Sequence, residues 1–145
     1  MPTTVEKPLL SPDYRPKDKE PYMNPQMLEY FRQKLVAWKA ELVQESSDTL
    51  AHLQEETLQQ PDITDRASIE TDQALELRTR DRMRKLIAKI DAALRRIETG
   101  DYGYCEETGE PIGIKRLEAR PVATLSLEAQ ERHERYERTH RDDDE

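Results

Sequence analysis

The sequence contains one cysteine, one phenylalanine, one tryptophan and only four glycines. With Cys105 alone, no internal disulfide can form. So few aromatics and glycines point away from a sheet-rich enzyme. No nucleophile–base set, phosphate-cradling glycine loop or metal cluster can be read, so the chain is not expected to be an enzyme. No apolar run approaches the roughly 20 residues that cross a bilayer, and the start lacks the basic segment and apolar core of a secretory signal. A soluble, cytoplasmic protein is expected, with no membrane partner. Hydrophobic residues make up 34% and charged ones 37%, with a mean hydropathy of −1.01. That cannot fill a thick globule, but it can cover the narrow seam of an elongated helical pair. The length of 145 residues suits one domain with an extension. A net charge of −8 argues against wholesale binding to DNA or anionic lipid.

What is present is organised along the chain. Residues 1–23 hold five of the nine prolines, mixed with charges, and read as an extended N-terminal arm rather than a packed element. Asn24-Pro25 is a helix start, an N-cap residue followed by proline where its missing N–H costs nothing. Leu28, Phe31, Leu35, Trp38 and Leu42 then recur at heptad spacing. The pattern slips at Ser46, Leu50 and Leu53, and no Gly or Pro intervenes before Pro61. A second uninterrupted stretch runs to Thr99 and Gly100, with Met83, Ile87, Ile90, Leu94 and Ile97 as its clear seam. A short break between two long helices predicts an antiparallel coiled-coil hairpin over 24–99, its tip at 60–67. The distal half is poor in apolar residues: Leu50, Leu53, Leu58, Ile69, Ala74, Leu75 and Leu77 stand among many charges. An arm extended past its good seam gains little stability, so its expected purpose is reach. A small globular region follows at 100–130, then a charged C-terminal helix over 126–141 and an acidic tail at 142–145. The expected fold is mainly α, and a monomer.

Two charge features stand out. At the break, Asp62, Thr64 and Asp65 are three candidate caps within four residues, more than one helix start needs. Between Arg78 and Arg96, eight basic residues face two acidic ones, Asp81 and Asp91. Arg82, Lys85 and Lys89 share a face at a spacing that suits phosphates.

From Cys105 the chain reads Cys-Glu-Glu-Thr, then Gly-Glu-Pro-Ile112, Arg116-Leu-Glu-Ala-Arg-Pro121 and Ser126-Leu-Glu-Ala129. Positions 105, 108, 126 and 129 have the spacing of a paired C-x-x-C finger but hold Cys, Thr, Ser and Ala. With Tyr22-Met23-Asn24, Phe31, Trp38, the stretch Leu77 to Ile90 and the tip Asp62-x-x-Asp65-x-Ala67, this resembles the DksA/TraR family over about residues 22–130. The first helix matches its full-length members. The resemblance implies binding in the secondary channel of bacterial RNA polymerase, with Asp62, Asp65 and Ala67 as the working tip. It also implies destabilised promoter open complexes, ribosomal RNA promoters above all, in the stringent response. Arg82, Leu86, Lys89 and Arg120 match positions that bind guanosine tetraphosphate (ppGpp) between factor and polymerase; Gln130 stands where a lysine is usual. The degenerate finger departs from the zinc-bearing pattern. Structural zinc needs four ligands, which Thr, Ser and Ala do not supply, so a zinc-free finger held by Tyr102, Ile112, Ile114, Leu117 and Leu125 is expected. The finger is not strongly basic, and no direct sequence-specific DNA binding is expected of it. The competing readings are a transcript-cleavage stimulator of the same channel, whose tip acids would hold a second Mg²⁺, and a structural coiled coil.

Overall fold

Two long helices carry the chain. The computed structural model describes residues 10–59 and 66–143. Within them α1 spans Pro25–Gln59, α2 Arg66–Thr99, α3 Ile114–Ala119 and α4 Leu127–Asp143. Among the described residues there is no strand, only an isolated antiparallel bridge between Tyr104 and Pro111. The fold is mainly α, as the composition requires. Contacts divide it into two compact units: Val36–Ala92, and the residues through Leu35 together with those from Ala93 onward.

In the second of these, α1 begins with its cap in place. The Met27 N–H donates to Asn24 Oδ1 at 2.9 Å, and Pro25 fills the first helical position. Met27, Phe31 and Leu35 are completely buried, as is Leu117 of α3, and Tyr102 and Cys105 are nearly so. The Phe31 and Tyr102 rings lie 5.7 Å apart. The stripe on α1 therefore turns on Met27 rather than on Leu28, which is half-buried. α2 ends at Gly100, whose φ of 84° suits a residue without Cβ. There the Asp101 and Tyr102 N–H groups both donate to the Arg96 carbonyl. The Arg96 guanidinium closes the same corner on the Tyr104 carbonyl (2.8 Å) and the Glu106 carboxylate (2.8 Å).

The described part of the N-terminal segment, residues 10–23, lies without helix or strand and makes specific contacts. The Tyr14 ring meets Tyr30 edge-on at 6.0 Å, and Met23 is buried. The Tyr22 hydroxyl donates to the Gly103 carbonyl at 2.6 Å and accepts the Gly113 N–H at 2.9 Å. Tyrosines thus compensate for the prolines: their rings supply apolar area and their hydroxyls satisfy loop backbone. Gly103 has φ 91°, and a Cβ there would stand 2.9 Å from Met23 Cγ.

In the other unit, Leu42 and Ile90 are buried and Trp38, Met83, Leu86 and Ile87 half-buried; Lys39 pairs with Asp91 at 2.8 Å across the helices. Leu75 and Leu77 of the apolar-poor distal half face outward, 44% and 68% exposed. The inward positions Ile90, Leu86 and Met83, continued back at the same four–three spacing, reach Thr79, Glu76 and Asp72, and Thr79 is buried.

Tyr22→Phe should cost about 1–3 kcal/mol, because it leaves a carbonyl and an N–H of the finger loops without their partner. Urea unfolding followed by circular dichroism checks this; a loss near zero would mean water replaces the hydroxyl.

Candidate functional site

Cys105 lies at the centre of the finger positions. It is 3% exposed. Burial by itself pushes its thiol pKa up, but hydrogen bonding from the Thr108 hydroxyl and from the backbone N–H groups of Ser126, Thr108 and Glu107 outweighs it, bringing it down to about 6. Backbone donors around a thiolate act as a small anion nest. The other finger positions are engaged elsewhere. Thr108 Oγ1 accepts the Glu110 N–H at 3.3 Å. Ser126 caps α4, its hydroxyl accepting the Ala129 N–H at 3.3 Å. Ala129 offers no ligand and is completely buried. Structural zinc takes four strong N, O or S donors, and here the set supplies one thiol, two committed hydroxyls and a methyl group. The residues do not fit the metal. Ile112, Leu117 and Tyr102 close the core below, with the Tyr102 hydroxyl donating to the Pro121 carbonyl at 2.7 Å. Ile114 and Leu125 are half-buried.

A lowered thiol pKa has a sign in stability. The folded value of about 6 lies below the ordinary 9, so the nest stabilises the fold fully above pH 9 and is lost as pH falls through 6. The melting temperature of the wild type should therefore drop by several degrees more between pH 9 and pH 6 than that of Cys105→Ala. Parallel slopes in the two proteins would show that folding does not lower the thiol pKa.

The basic stretch of α2 is exposed. Arg80 pairs with Glu76 at 2.7 Å and Lys85 with Asp81 at 3.0 Å. Arg82, Arg84, Lys89 and Arg95 have no ion pair among the described residues, against the simplest structural role for a charge run. Arg82, Leu86 and Lys89 lie on successive turns of α2, with Leu86 half-buried between two exposed cations. Arg120 is exposed at the C-cap of α3, and Gln130 is half-buried on α4, where its amide donates to Glu134. These two residues belong to the other unit. Asp62 and Asp65 lie outside the described residues, and Ala67 stands in the first turn of α2. Sequence reasoning missed the contact of His133 Nε2 with the Glu107 carboxylate, which ties α4 to the finger loop. The 26-residue separation gives no local signal for it.

Two family models match the chain. One, the N-terminal domain of DnaK suppressor protein DksA, covers residues 27–97; the other, the prokaryotic dksA/traR C4-type zinc finger, covers 100–135. The RNA polymerase-binding transcription factor DksA of Caulobacter vibrioides is 70% identical over 131 residues, 90% of this chain and 92% of that protein. Its counterpart in Haemophilus influenzae is 50% identical over 115 residues, 79% of each. Among solved structures, transcription factor DksA2 from Pseudomonas aeruginosa superposes with a TM-score of 0.67 at 41% identity, covering 81% of this chain and 90% of that one. A likeness this close, running through the hairpin and the finger alike, makes the chain a member of the DksA family.

Proposed function

We infer that this chain is a transcription regulator that binds bacterial RNA polymerase. It acts by presenting the tip acids Asp62 and Asp65, with Ala67, in the enzyme's secondary channel, and it destabilises promoter open complexes there. The observation that carries the reading is the 70% identity to a polymerase-binding factor along 92% of that factor's length. The physical argument is independent of it. Each of α1 and α2 rises roughly 50 Å at 1.5 Å per residue, and in the sequence the acids fall between them. A carboxylate on so slender a support disturbs a Mg²⁺-bearing, basic site through charge alone.

The guanosine tetraphosphate response belongs to the same reading. Arg82 and Lys89, without an ion pair among the described residues, supply charge to phosphates, and Leu86 gives a ring something to rest on; Arg120 is assigned to the same nucleotide by the family resemblance alone. Gln130 keeps the position polar but neutral, which weakens the response. The finger works without zinc, on a core of Tyr102, Ile112 and Leu117, and the protein folds when zinc is scarce. It acts as a cytoplasmic monomer, with no catalysis of its own, no direct sequence-specific contact to DNA and no membrane partner.

Transcription from a ribosomal RNA promoter by purified bacterial polymerase should be inhibited by the wild type and spared by Asp65→Asn, with polymerase binding retained. Adding the nucleotide should deepen the wild-type inhibition, and Arg82→Ala should weaken that increment about tenfold in nucleotide concentration, the size of one charge-assisted hydrogen bond. Equal inhibition by wild type and Asp65→Asn would reduce the tip acid to a helix cap. Elemental analysis of purified protein should find far less than one zinc per chain, and a chelator should leave the melting temperature unchanged; stoichiometric zinc would reject the metal-free finger.

A further inference from the structure

The four–three spacing of α2 does not stop where its apolar residues do. Counting back from Ile90 through Leu86 and Met83, the next positions are Thr79, Glu76 and Asp72. Thr79 is 7% exposed, and Glu76 and Asp72 are half-buried, while Leu75 and Leu77 face outward. A hydroxyl and two carboxylates therefore occupy the positions that nearer Ala92 hold Met, Leu and Ile. On α1, Leu50 and Leu53 are half-buried. Carrying the register set by the Lys39–Asp91 pair along the two helices brings Leu50 within one residue of Thr79 and Leu53 within one residue of Glu76. A leucine opposite a carboxylate gains little from burial, and the carboxylate loses hydration by staying. Glu76 is drawn sideways to Arg80 on its own helix rather than across to α1.

Paired helices in water are held by their apolar seam far more than by propensity, and segments lacking one open at a lower free energy than the rest of the fold. We propose that residues 47–55 of α1 and 68–79 of α2 separate and re-pair as a unit of their own, while Val36–Leu42 and Met83–Ala92 stay paired. The polar seam is then a conformational device: it keeps both segments helical enough to extend, yet leaves them free to separate and re-pair against whatever surface they meet. The exchange behaviour of the free chain does not depend on the polymerase reading, so either can fail alone.

Hydrogen–deuterium exchange of the full chain, followed by mass spectrometry, tests this. Amides in 47–55 and 68–79 should exchange at least about tenfold faster than those in 36–44 and 83–92. Because the end of any hairpin frays, the double variant Asp72→Leu/Glu76→Leu makes the distinction. At a concentration where it and the wild type sediment with the same mass, it should slow the distal amides at least about tenfold and leave the nearer ones unchanged. Equal protection of the two halves in the wild type, or distal exchange unaltered by the two leucines, would overturn the proposal; where the variant associates or misfolds, the wild-type comparison decides.

Discussion

One buried face of α1 supports the rest of the molecule: Met27, Phe31 and Leu35, each without exposed surface. In a chain with only 34% hydrophobic residues there is no second place to put such a core. Each of these side chains contributes about 1.5–3 kcal/mol by leaving water, against an entropy cost that scales with the whole chain. Tyr102 brings the finger to this face through Phe31, and the Tyr22 hydroxyl holds the loops at Gly103 and Gly113. Arg96 joins the end of α2 to the same loops through two carbonyls and a carboxylate. Polar groups here set geometry that apolar area alone would leave loose.

The finger keeps a metal-binding frame whose four positions hold Cys, Thr, Ser and Ala, a set that does not fit zinc. A tetrahedral zinc would need four ligands; hydrogen bonds to one sulfur need only donors, and turns provide backbone N–H groups wherever the chain reverses. Thr108 and Ser126 remain polar for this purpose, one donating to the sulfur, the other capping α4 and lending its amide. Ala129, with no donor to give, fills the remaining space.

Much of the fold is legible in the sequence because heptad spacing is a strong signal where apolar residues mark it, as from Phe31 to Leu42 and from Met83 to Ile97. It fails where the seam turns polar. Leu75 and Leu77 draw the eye, yet the register passes through Thr79 and Glu76, because helix geometry and not residue type determines which side faces in. The docking of the segment before Asn24 is illegible for another reason: Tyr22 and Gly103 lie 81 residues apart, and nothing local announces a hydroxyl between two loops. At the finger, the missing ligands are plain from Thr108, Ser126 and Ala129, while the donors that replace them are backbone groups that no residue name reveals. For the basic stretch of α2, spacing gives the shared face of Arg82 and Lys89, but only the structure shows that these cations make no ion pair among the described residues. The tip residues Asp62 and Asp65 lie outside the described residues, so their reading rests on sequence and family.

The central claim is that the hairpin delivers its tip to the catalytic region of the polymerase. A photoreactive amino acid at position 64, between the two tip acids, in a complex with purified bacterial RNA polymerase tests it most directly. The account predicts crosslinks to segments lining the secondary channel near the active-site Mg²⁺. Crosslinks confined to the outer surface of the enzyme, in a complex that still inhibits transcription, would contradict it.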